Sequence, residues 1–558
     1  MSRMPAPPLN SNGRQLQAFR SHGPAAGLRR YAPLLIRRRG NGWQVHIYWK
    51  RFSLLLLASG LCAWVGLASA AYFFVKYNRG FTAVRFSDML LLPGRWQAYE
   101  VSRGDFLIAK AQADFKQQKM REAFDGLRQG LSKSPGNKEG RLLLAQFYAH
   151  WKRPDLSRTT LLDGFSHHKT DSDYLKTLFA FLLKQQDDRQ VMQFYQQLLG
   201  ADPTVTPRNQ LVALAAATSC YYRGNYDQAE SILGRYQVES SRDGRVLLAR
   251  INWDRGAQDL ALTQLRELAS KRPEDAEIYT LTITYLREVG RDEEARRESF
   301  LRTLANPRNA RARIDLLYAY QKDENPVALR TSVEEVYRDL VNDPEALLAL
   351  ADFAANTGNV PLARRIYDHT KAHNLNWDGA ALMTVEACIV AKNHQGALEL
   401  VRELLKENAA WGKRFYAVFN GLQAIAHYGM GDTEAGQLFI NNFLKQNNVR
   451  AENLIAVANR LLTVGAKTPA RKVLEQAVET DPLNQAALTR LVQMDLDLNN
   501  IAPLTANVRK LLLMRKPSQI VLRAVYTKLG SDLFLFSPDR TSLLEELRAS
   551  QAVALPAS

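Results

Sequence analysis

Three small-residue marks recur through this chain at fixed offsets, and they restrict its fold more than any other feature. Glycine is followed five residues later by alanine at Gly224/Ala229, Gly256/Ala261, Gly290/Ala295, Gly358/Ala363 and Gly465/Ala470. Alanine is followed twelve residues later by proline at Ala123/Pro135, Ala261/Pro273, Ala295/Pro307 and Ala470/Pro482. Gly256, Ala261 and Pro273 return as Gly290, Ala295 and Pro307, each displaced by 34 residues, and Ala363 and Ala397 share that spacing. Self-similarity at such a period marks an array of small helical or strand units. The glycine ends a first helix, where a left-handed residue without Cβ turns the chain tightly. The alanine sits where a second, antiparallel helix approaches closely. The proline cannot continue that helix and suits the start of the next. Ala261, Leu265 and Leu268, or Ala470, Leu474 and Ala477, give the second helix its buried stripe.

The stretches RGNYDQAESIL at 223–233, DRGAQDLALTQLRELASKRPED at 254–275 and PARKVLEQAVETDPLN at 469–484 carry the pattern most fully. They resemble the tetratricopeptide repeat, a helix-turn-helix unit of 34 residues. The resemblance covers residues 104–530, about three quarters of the chain. It implies an all-α fold, a right-handed α-solenoid of about twelve helix pairs. Units 137–165 and 171–203 lack the Gly/Ala pair, Lys392 replaces the glycine before Ala397, and Leu504 replaces an alanine, which leaves the register open there by a few residues. In such arrays the first helices line a concave groove. Carried over from the repeat alanines, the groove-facing candidates are Tyr221, Tyr222, Arg250, Trp253, Thr284 and Arg287. An aromatic anchor with an Arg one turn away suits a carboxylate or a backbone carbonyl of a bound peptide. Trp253 could equally pack between repeats.

Ahead of the array, Phe52–Val75 runs 24 residues without a charge, long enough to cross a hydrocarbon core of about 30 Å. It reads as a single transmembrane helix. The formal charge of +18 is concentrated before it: residues 1–51 hold ten Lys/Arg and no acid. The positive-inside rule then puts the N-terminus in the cytoplasm and residues 76–558 outside it, in the periplasm if the host is Gram-negative. The alternative is a cleaved signal peptide, with Ala68-Ser69-Ala70 as the cleavage pattern. Residues 1–51 read as a largely unstructured leader, 76–103 as a juxtamembrane spacer, and 531–558 as a capping helix and tail whose start Ser542-Leu543-Leu544-Glu545 marks as a capping box.

Reaction chemistry is sparse. Phosphate-loop, zinc-helix and nucleophile-elbow motifs are lacking. Gly429-Met430-Gly431 has no preceding strand and reads as a turn. His369 and His373 share a helix face without a following carboxylate and suit the last turn of a helix better than a metal; His167 and His168 are adjacent and point apart. Cys62, Cys220 and Cys388 form no C-x-x-C, and Cys220 and Cys388 lie too many repeats apart to bridge. The expectation is no enzyme, cofactor, metal, small-molecule substrate or nucleic-acid partner. The chain reads as a membrane-tethered scaffold or adaptor binding proteins or peptides in its groove, as in bacterial envelope export or assembly. The alternative is a chaperone-like holder of immature clients, which calls for a more apolar groove.

Overall fold

The computed structural model describes residues 34–39, 42–82, 84–200, 202–446, 449–535 and 539–554. Most of the expected unstructured leader, residues 1–33, and the end of the tail, 555–558, lie outside them. The chain divides into two compact units, residues 1–168 and 169–558. Its described part is helical apart from one antiparallel hairpin inside the leader, β1 (Leu34–Arg39) with β2 (Gly42–Ile47), in which Leu34 pairs with Ile47 and Arg39 with Gly42.

In the first unit a helix runs Trp49–Phe73 and continues as a wider π turn over Phe74–Asn78. It is the one helix among the described residues long and apolar enough to cross a membrane. Its earlier turns are bare, with Leu54, Leu57 and Leu67 more than 60% exposed. The later turns are covered: Ala68 is buried with Phe81, Val84, Met89 and Tyr99, and the Trp64 indole donates to the Leu90 carbonyl at 2.8 Å. The repeats begin earlier than residue 104: Leu92–Lys116 is kinked at Arg95, just after Pro93-Gly94, and the first repeat helix runs on from there. Helices Leu92–Lys116 and Met120–Lys133 form the first pair, Lys138–His150 and Pro154–Gly164 the second.

The second unit carries ten further pairs, from Ser172–Lys184 with Asp188–Leu198 to Gln485–Asp497 with Ile501–Leu513. Helices Gln519–Gly530 and Arg540–Ala554 close the array. The last starts at Arg540, so Ser542 lies within its first turn and not at the cap expected for it.

All twelve pairs share one turn. Its inner residue is left-handed at Gln118, Lys152, Gln186, Gly224, Gly256, Gly290, Glu324, Gly358, Lys392, Gly431, Gly465 and Asn499. The next N–H reaches back over the helix end: Asn225 to the Cys220 carbonyl at 2.9 Å, Arg153 to Tyr148 at 2.9 Å, Asn393 to Cys388 at 2.8 Å. That closure satisfies carbonyls a helix end would otherwise strand. Units that lack the glycine therefore keep the geometry, and the open registers close. The residue five places on is buried where it is alanine and also where it is Ser157, Val191 or Leu504. Where the proline is present, an Asn or Asp two residues later caps the next helix: Asn137, Asp275, Asn309 and Asn484 accept from first-turn N–H groups.

Candidate docking surface

First helices of four successive pairs line an open groove of about 770 Å³ in the second unit. Arg250 comes from the Arg242–Asp254 helix, Thr280 and Thr284 from Ala276–Glu288, Arg311 and Tyr318 from Ala310–Lys322, and Asp352 from Pro344–Thr357. Its lining mixes charged residues with Leu281, Ile314, Tyr318 and Ala349. Arg250 reaches Glu277 at 3.3 Å, and the buried Arg302 pairs with Asp315. Further along, Arg460 donates to Glu386 at 2.9 Å and to Asn356 at 2.7 Å, tying first helices of three pairs together. Burial and the nearby Glu386 carboxylate push the Asp352 carboxyl above its usual range. Arg311 is exposed and makes no ion pair among the described residues.

The sequence candidates divide between this groove and a second place. Thr284 is exposed in the groove, its hydroxyl donating back to the Thr280 carbonyl at 2.8 Å. Arg287 follows it, half-buried and without an ion pair among the described residues. Arg250 lines the groove but is already paired. Trp253 packs between repeats: its indole lies flat on Tyr285 of the next first helix, centroids 4.0 Å apart, and donates to Glu288 at 3.1 Å.

Tyr221 and Tyr222 meet a segment of the chain nearly three hundred residues away. The loop after Ile501–Leu513 places Lys516 Nζ 3.3 Å over the Tyr221 ring and 5.3 Å from that of Tyr226, where it also pairs with Asp254. Arg515 lies 4.6 Å over Tyr222, donates to the Leu183 carbonyl at 2.8 Å, and grips the buried Asp188 with its Nε at 3.0 Å and a second, shorter bond. Arg223 holds Asp188 from the other side at 2.5 Å. Burial drives the Tyr221 phenol up and the Lys516 amine down, the latter opposed by Asp254. Sequence reasoning misses Arg515 and Lys516, because nothing local to MRKP says what faces it.

The histidines and cysteines take structural positions. His369 and His373 stand at the end of Val360–Ala372, their rings 4.2 Å apart, each bonded to a backbone carbonyl. Cys220 and Cys388 are buried free thiols; burial raises both, Cys220 to about 11. Among the described residues no cluster of His, Cys, Asp and Glu could hold a metal ion.

With a left-handed turn in all twelve pairs, a small or apolar residue five places on, and 34 residues between most successive turns, the architecture is decided. The hairpins are tetratricopeptide-like helix pairs. No family model matches the sequence, and no curated protein matches it. Among solved structures the chain is similar to a Naa15/Naa10 complex bound to HypK-THB, at 15% identity over 88% of this chain and 79% of that one, TM-score 0.30. It is similar to the Cut9–Hcn1 hetero-tetramer of APC/C at 13% identity, over 82% and 95% of the two chains, TM-score 0.26. A tetratricopeptide repeat protein from Parabacteroides merdae aligns at 14% identity over 45% and 97%, TM-score 0.28. At these scores the assignment rests on the hairpins themselves.

Proposed function

We propose that the chain is a membrane-tethered scaffold whose tetratricopeptide-like array docks protein segments along the groove between Arg250 and Asp352. The observation that carries this reading is the pairing of a bare apolar helix with a solvent-open, charged groove. An exposed stripe such as Leu54–Leu57 is costly in water, at about 25 cal/mol per Å² of apolar surface, and is removed by lipid. The charge-free run Phe52–Val75 is long enough at about 1.5 Å per residue to cross a hydrocarbon core of about 30 Å, with Lys50 and Arg51 at its entry. Trp49 beside them suits the interface. The covered turns beyond Leu67, with Phe81–Tyr99, pass the chain to the repeats. The basic leader favours a cytoplasmic N-terminus and an array on the far side, which is the periplasm in a Gram-negative host.

The groove sets fixed charges at Arg250, Glu277, Arg311, Asp315 and Asp352 among Leu281, Ile314 and Tyr318, and such placed charges favour docking of a specific segment over holding of unfolded clients. Arg311 is the lining cation left over after internal pairing among the described residues, and with Arg287, one turn past Thr284, it suits acidic side chains or a chain terminus on the partner. Anchoring in two dimensions raises effective concentration, so a modest groove suffices. A photocrosslinker at Thr284 identifies the partner. Replacing both Arg287 and Arg311 by Glu should lower its capture at least fivefold with the helical melt unchanged. Capture that persists undiminished contradicts the groove as the docking surface.

A further inference from the structure

The contact at Tyr221 and Tyr222 is built as a receptor for two consecutive cations. One pocket takes a guanidinium: Asp188 offers both oxygens, the Leu183 carbonyl accepts at 2.8 Å and Tyr222 provides a face at 4.6 Å. The other takes an ammonium, between Asp254 and the rings of Tyr221 and Tyr226. The backbone beside the cations is read as well. The Arg515 N–H donates to the Gln186 side chain at 3.3 Å, and Arg223 donates to the Leu513 carbonyl at 3.3 Å. Planar bidentate pairing selects Arg in the first pocket, and an aromatic face beside a carboxylate suits Lys in the second.

The two cations are held by charge and ring faces, while Met514 just before them is buried in the core. On either side of this stretch Leu513 is 76% exposed and Ile520 is 81% exposed. Lys516 itself is in the left-handed region at φ 45°, a conformation that strains a non-glycine residue. Lys516 and Asp254, 30% and 25% exposed, reach solvent and exchange with competing ions, whereas Arg515 and Asp188 form a buried pair that a partner must replace in kind. A free segment, unconstrained by the turn, can offer the same two side chains without that strain.

We propose that this cage is a docking site for an exposed Arg-Lys pair on a partner protein, kept filled in cis by Arg515-Lys516 until such a segment displaces them. The site stands at the helix ends near Gly224; its Asp254 lies one turn from Arg250 at the rim of the groove, but no cage residue lines the groove, and the proposal does not depend on the groove being used. Self-occupancy sets a threshold: a tethered competitor acts at an effective concentration of order millimolar, so a partner must bring further contacts or be locally concentrated.

The test uses the full chain in detergent and a fluorescein-labelled peptide LLMRKPSQ, the sequence of residues 512–519. Emptying the cage with Arg515→Gln and Lys516→Gln should raise affinity for this peptide at least tenfold over the unmodified chain. Adding Asp254→Asn, or changing both basic residues of the peptide to Gln, should remove that gain. If the double variant loses its helical melt, Lys516→Gln alone, which leaves the Asp188 pairs in place, should still give a smaller gain. An emptied, folded chain that binds the peptide no better than the unmodified one, or equally well after the peptide loses its charges, overturns the proposal.

Discussion

The left-handed residue at each inner turn is the position where single side chains have the clearest physical consequence. Gly256 has φ +84° and open space where a Cβ would stand, so Gly256→Ala should meet backbone strain and no clash. That destabilises by about 1 kcal/mol. Lys392, with φ 61° at the equivalent place, is strained already, and Lys392→Gly should shift stability the opposite way by a similar amount. The midpoints of chemical unfolding should therefore move in opposite directions; equal signs would refute a shared turn. Residue-scale geometry also explains which turns are legible in the sequence. Gly, Ala and Pro carry the pattern because backbone geometry restricts them directly. Lys152, Gln186 and Asn499 hold the same turn with no compositional signature, since the hydrogen bond across the helix end and the packing beneath it enforce the conformation.

At the scale of elements, helix Asp292–Ala305 differs from its neighbours. Its buried positions include Glu298, Ser299 and Arg302, and its seams are ionic: Arg266 to Glu294 and Glu298 at 2.8 Å, Arg296 to Asp323 at 2.9 Å, Arg302 to Asp315. The apolar side chains Phe300, Leu301 and Leu304 remain exposed. Arg302 is only 5% exposed, so Asp315→Ala leaves a desolvated guanidinium without its counter-charge and should cost about 3–5 kcal/mol. Removing both charges together, as Arg302→Met with Asp315→Leu, should recover most of that loss in the same unfolding measurement. If Asp315→Ala is silent, the seam is not held by this pair. Helix number and pairing are legible in the sequence because periodicity is local. The early start is not: Pro93-Gly94 does break the helix, at a kink at Arg95, yet the first repeat helix starts directly after it and not at 104, with Gly104 where the helix approaches the Gly130 carbonyl too closely for any Cβ.

At the scale of the whole molecule, the array is an assembly of nearest-neighbour contacts to which a few distant ones have been added, those of Arg460 and those of Arg515 and Lys516. Such contacts depend on how small rotations accumulate over many repeats, and no local pattern announces them. The same limit explains why Tyr221 and Tyr222 can be marked as surface aromatics from the sequence without their occupant being foreseen. The central claim, that the array hangs from a lipid bilayer by the helix beginning at Trp49, is tested most directly at Cys62. This thiol is exposed on the bare part of that helix, whereas Cys220 and Cys388 are buried. Membranes carrying the full chain, treated with a membrane-impermeant maleimide, should leave Cys62 unlabelled while an Asn78→Cys control reacts from the array side. Rapid labelling of Cys62 in intact membranes, at the rate of a free aqueous thiol, would contradict the tether.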